Sequence, residues 1–171
     1  MSVPPEKRHE TFVVYCRPMK LWMSTVLFAG IIFAAALPAF AGLGEEVSSV
    51  QTDQARLKGT LRSTQAEGYT VHEIKAATGT VVREYVTASG KVFAVAWQGP
   101  WPPNMRQVLA TYFDSYQTAA KAQHSAHAGR RPLVIEQPGL VVHAGGHMRS
   151  YAGHAYIPDM LPQGMSAEAI Q

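Results

Sequence analysis

The chain has 171 residues, of which 47% are hydrophobic and only 16% charged, and its formal net charge is +3. That length suits one domain, and the apolar content excludes a disordered chain. One cysteine and 14 glycines without a period exclude a disulfide framework and a collagen-like repeat.

Residues 1–41 read as a signal peptide. Arg17 and Lys20 precede the uncharged stretch Leu21–Ala36, which runs into Pro38 and Ala39-Phe40-Ala41. A basic region, an apolar region and an A-x-A site predict cleavage between Ala41 and Gly42. Leu21–Ala41 is also long enough to span a bilayer. The alternative is therefore an uncleaved anchor, the one route by which the chain would touch a membrane. No basic stop-transfer cluster follows the apolar run, which favours cleavage and a periplasmic or secreted product. Met19 is a more natural start for such a leader than Met1. Cys16 falls inside it, so the domain expected over 42–171 has no thiol nucleophile, disulfide or Cys-ligated metal. Lys7, Arg8, Arg17 and Lys20 also fall inside it. The remainder is close to neutral and lacks the clustered basic surface that nucleic acid requires.

Ser48–Arg62 predicts a short helix, with Ser48 and Gln51 at capping-box spacing and Val47, Val50, Leu57 and Leu61 as a sparse apolar stripe. Three β-rich segments follow: Tyr69–Lys75, Thr80–Thr87 and Lys91–Gln98. Gly79 and Gly90 lie 11 residues apart in the turns between them, which predicts a three-stranded antiparallel meander. The last of these strands is apolar on both sides, with Phe93, Val95 and Trp97 expected on one face and Val92, Ala94 and Ala96 on the other. A strand covered on both faces belongs in the centre of a sheet. Gly99-Pro100-Trp101-Pro102-Pro103 stops it.

Asn104 and Gln107 have capping-box spacing. Met105, Val108, Leu109, Tyr112, Phe113, Tyr116 and Ala120 make the clearest helical stripe, over about 104–121, expected to lie across the meander. A polar linker over 122–131 leads to a predicted hairpin, Leu133–Glu136 and Leu140–Ala144, around a Pro138-Gly139 type II turn. Gly145-Gly146 is expected to break the pattern before a last strand, His147–Ile157, bulged at Gly153. The segment from Pro158 reads as irregular. The fold class is therefore α+β: a single antiparallel sheet, meander plus C-terminal strands, with one main amphipathic helix packed on it.

The stretches 69–100 and 140–170, with RQVLATYFDSY at 106–116, resemble a family of small exported proteobacterial proteins, among them proteins of Burkholderia relatives. That family is catalogued as domain of unknown function 2844. VREY, FAVAWQGP and GGHMR with AYIP carry the resemblance, which covers about 42–170. It implies export and a single domain, and brings no activity, cofactor or catalytic residue with it.

The histidines are the leading chemical candidates. His143, His147 and His154 suggest a metal site if Gly145-Gly146 turns the chain back, since neutral imidazole is a common ligand. Along a straight strand, however, four residues span about 13 Å, too far for one ion. The bland alternative is edge or surface histidines. Gly145 and Gly146 with Arg149 form a second candidate: a double glycine lets backbone approach a ligand, and arginine pairs with carboxylate or phosphate. A wide turn is the competing explanation. Trp101, among prolines, is either an exposed partner contact or a tryptophan folded back over the helix start. Glu73 and Glu84 lie on neighbouring strands, and Lys75 and Arg83 beside them predict cross-strand ion pairs on a solvated face. The GxSxG, P-loop and GxGxxG motifs are absent.

The sequence thus points to an exported, non-catalytic accessory or binding protein of the cell envelope. It would bind a protein partner and would need no cofactor. Two alternatives stand beside it: a periplasmic hydrolase in which His143, His147 and Glu136 converge, and a metal binder through His143, His147 and His154.

Overall fold

The computed structural model describes residues 42–126 and 131–171. Residues 1–41, over which a signal peptide is expected, and with them Cys16, lie outside the described residues. Helix α1 (Ser49–Leu57) opens the fold, followed by β1 (Thr60–Ala66), β2 (Tyr69–Lys75), β3 (Val81–Thr87) and β4 (Val92–Gly99). Helix α2 (Met105–Leu109), a 3-10 turn (Ala110–Tyr112) and α3 (Phe113–Ala126) come next. Strands β5 (Leu133–Gln137), β6 (Leu140–His147) and β7 (Ser150–Tyr156) complete the order.

All strands join one 7-stranded antiparallel sheet in the order β1-β2-β3-β4-β7-β6-β5. Strand β4 occupies the centre, as its two-sided apolar pattern requires. The α+β class and the single antiparallel sheet hold. The strand β1 was not expected: its TLRSTQA shows no clean alternation of apolar and polar residues, and most of its side chains are exposed. The first helix stops at Leu57 because Lys58 turns into the left-handed region at φ 48°, and the chain then reverses through Gly59 into β1. Ser48 makes no side-chain capping bond.

Two layers cover the sheet. On one face Val82, Val95, Trp97, Val142 and Ile135 pack against Leu43, Val50, Val108 and Leu109. On the other, Tyr85, Phe93, Ala94 and Ala96 are covered by Ile170, Met160, Leu161 and Met165 of the closing segment. That segment is ordered by 3-10 turns at Pro158–Met160 and Ala167–Ala169. The face assignment within β4 differs from simple alternation. The pairing slips between Tyr85 and Val86, so that Val86 faces Val92 and Tyr85 faces Ala94. Phe93 is the extra residue of this bulge and points with Ala94 and Ala96, while Val92 joins Val95 and Trp97.

The long helix is broken rather than continuous. Ala110 adopts φ 44° and ψ −118° between α2 and α3. The predicted stripe still faces the core, but α3 runs on to Ala126 and lies towards β5 rather than across the meander. Asn104 caps α2 by accepting a hydrogen bond from the Arg106 amide at 3.1 Å. Gln107, assigned to a capping box by its spacing, reaches Asp53 instead.

Gly145 and Gly146 do not break the second hairpin: both remain in β6, opposite Ala152 and Tyr151. The turn falls at Met148-Arg149, with Arg149 at φ 64°. Pairing continues through Gly153 without a bulge. A side chain at Gly153 would begin 2.5 Å from Trp97 Cζ2 and 2.6 Å from the His143 carbonyl oxygen. The glycine lets the indole lie flat over β7.

Candidate functional site

Three places carry chemistry. The first is a groove of about 750 Å³ between α3 and edge strand β5. Phe113, Tyr116, Ala120 and Leu133 give it an apolar lining, and Lys121, His124 and Arg131 stand on its rim. Among the described residues no carboxylate contributes to the lining. The groove exists because α3, unlike α2, buries none of its residues fully. The helix packs on the core through the half-buried Phe113, Tyr116, Ala119 and Ala120, and Gln123 Oε1 accepts from the Val134 amide at 3.2 Å, bridging helix to edge. Cavities of this size are typical of small-molecule sites.

The second place is the histidine pair. His143 and His154 face each other in register across β6 and β7. Their ring centroids are 5.0 Å apart. Burial, and then the neighbouring His143, lower the pKa of His154 below the usual imidazole range. His143 Nε2 is buried without a hydrogen-bond partner and lies 3.6 Å from Glu136 Oε1. His147 does not join them. It pairs with Ser150 at the far end of the hairpin, about 13 Å along the strand from His143. Of the trio His143, His147 and His154, the structure brings together His143 and His154 and not His147. Of the hydrolase set, His143 and Glu136 are neighbours and His147 is separate. Among the described residues no three His, Cys, Asp or Glu groups already surround one point.

The third place is a buried acid pair that the sequence reading missed. Asp53 and Glu84 are 2% and 1% exposed. Glu84 lies in a row that crosses the whole sheet: Ser63, His72, Glu84, Val95, Ala155, Val142 and Ile135. Gln107 Nε2 donates to Asp53 Oδ1 at 2.6 Å. Burial, reinforced by hydrogen bonding to and the charge of Asp53, pushes the Glu84 carboxyl up to about 9. Burial also raises Asp53. At neutral pH the pair holds a proton and ties α1, β3 and α2 together. Beside it, Ser63 Oγ and His72 Nδ1 are 2.8 Å apart, and burial lowers the pKa of His72. The expected solvated ion pair is real only for Glu73, whose Oε2 lies 2.8 Å from Arg83 Nε. A signal for the buried pair was present in the sequence: Glu84 lies two residues from both Val82 and Val86 and so shares their face of the strand, and Asp53 follows Val50 by three residues.

Trp101 is 58% exposed. Its loop is pinned where Thr80 Oγ1 donates to the Trp101 carbonyl at 2.7 Å. The Trp101 side chain does not fold back over the helix start. Of the candidate formed by Gly145, Gly146 and Arg149, only Gly145 borders a depression: Gly146 faces Ser150 and Tyr151 backbone too closely for any side chain, and Arg149 is exposed at the turn. Close strand pairing accounts for Gly146 without a ligand.

Fold and sites together define an α+β protein with one open antiparallel sheet, a broken helix on one face and a folded-back segment on the other. The model of the family described as protein of unknown function (DUF2844) matches residues 39–170, and the chain belongs to that family. No curated protein and no solved structure matches it.

Proposed function

We propose that this chain is an exported, non-catalytic binding domain of the cell envelope, and that its ligand is an elongated apolar molecule with one anionic end. The groove between α3 and β5 carries the reading. Its apolar lining suits a hydrocarbon chain, and Lys121 and Arg131 offer positive charge with no carboxylate among the described lining residues. Export is supported by the leader pattern of residues 1–41. A hydrolase built on His143, His147 and Glu136 has less support, because His147 stands apart from the other two.

Dodecanoate is a suitable probe. Calorimetric titration into the full chain is expected to show one site. Ala120→Trp fills the groove and should abolish binding, while Lys121→Glu should weaken it about fivefold, as loss of an exposed charge contact predicts. Unchanged melting temperatures would verify that both variants fold. Binding that survives Ala120→Trp, or no binding to the parent chain, would overturn this assignment.

A further inference from the structure

The histidine pair supports a second site, independent of the groove. We propose that His143 and His154 bind one borderline divalent transition-metal ion, Cu²⁺ or Zn²⁺, with Glu136 closing on it as the third protein ligand. Strand register presents both imidazoles on the same face, with centroids 5.0 Å apart. Val134 pairs with His143, so Glu136, two residues further along β5, lies on that face too. His143 Nε2 is a buried nitrogen with no hydrogen-bond partner, and a coordinate bond would satisfy it.

The separation of His143 and Glu136 suits a shared ion. Metal–nitrogen and metal–oxygen bonds of about 2.0–2.2 Å place neighbouring donors about 3.4 Å apart in a tetrahedral site. His143 Nε2 and Glu136 Oε1 are 3.6 Å apart. The Glu136 side chain is 70% exposed, so it can rotate onto the ion at little cost. His143 and His154 border a depression of about 660 Å³ that Gln98, Gly145 and Ala152 also line, and Glu136 stands outside it. That opening leaves a coordination position for water or a small ligand. Two imidazoles and one carboxylate favour Cu²⁺ over Zn²⁺ in affinity.

The test is calorimetric titration of the full chain with CuSO₄ and with ZnCl₂ in a non-chelating buffer. One equivalent is expected for each metal, with copper tighter. His143→Ala and His154→Ala should each weaken binding more than tenfold, and Glu136→Gln about tenfold. His147→Ala should leave it unchanged. Copper bound by the parent should show two-nitrogen hyperfine structure in its electron paramagnetic resonance spectrum. That pattern should be lost in His154→Ala, and circular dichroism checks that each metal-free variant keeps the parent fold. Absence of binding, retention of affinity in His154→Ala, or equal loss in His147→Ala would each reject the site. None of these outcomes depends on whether the groove binds dodecanoate.

Discussion

Glu84 sets the electrostatic behaviour of the core. A carboxyl in contact with valines, with Asp53 as its charged neighbour, holds its proton far above the usual range. The sign of the effect on stability follows. The folded chain binds this proton more tightly than the unfolded chain, so stability is highest near the ordinary carboxyl value of 4.5 and falls as pH rises towards about 9. Glu84→Gln keeps a donor for Asp53 and removes the ionisation. Its melting temperature should exceed the parent's at pH 8 by several degrees, the equivalent of about 2 kcal/mol or more. Across pH 5–9 its melting curve should be flatter. A parent whose stability rises with pH over this interval would contradict the assignment. Glu84 also shows where sequence patterning led astray. The charges of Lys75 and Arg83 pointed to a solvated face, but strand periodicity, which puts Glu84 on the face of Val82 and Val86, already placed it inside.

At the scale of elements, the break between α2 and α3 separates two modes of packing. Val108 and Leu109 of α2 are buried against the sheet, while α3 diverges and leaves the groove. The break occurs at Ala110, whose φ of 44° and ψ of −118° are costly for a residue with a Cβ. Ala110→Gly should therefore raise stability by about 1 kcal/mol, read as a shifted denaturation midpoint with unchanged slope. Destabilisation would mean that the strain is absent. Apolar periodicity gave the stripe from Met105 to Ala120 correctly but is blind to such a break, since a one-residue kink leaves spacing nearly intact. The bulge at Phe93 escaped for a different reason: β4 is apolar on both faces, so a shift in its alternation leaves no mark on the pattern. Strand β1 escaped because its side chains are mostly exposed, so backbone pairing with β2 rather than apolar burial defines it.

For the whole molecule, the segment 158–171 is as structural as any strand. It has no regular element beyond short turns, yet Ile170 is 2% exposed over Tyr85 and Phe93. The Tyr85 hydroxyl donates to the Gln171 carbonyl at 2.9 Å. Ile170→Ala should cost about 2–4 kcal/mol by thermal unfolding; a loss under 1 kcal/mol would show that the segment is loosely held. Sequence patterning gave the class, the single sheet and the central place of β4. It was silent on this cover, because prolines and glycines hide burial that follows no period. The order β1-β2-β3-β4-β7-β6-β5 also has a kinetic consequence. Every sheet partnership but one joins neighbours in sequence. Only β4 with β7 closes a long loop, so it bears most of the entropic barrier to assembly. The two meanders rest on local pairings, and the sheet is complete only when β7 zips onto β4, with the indole of Trp97 against Gly153.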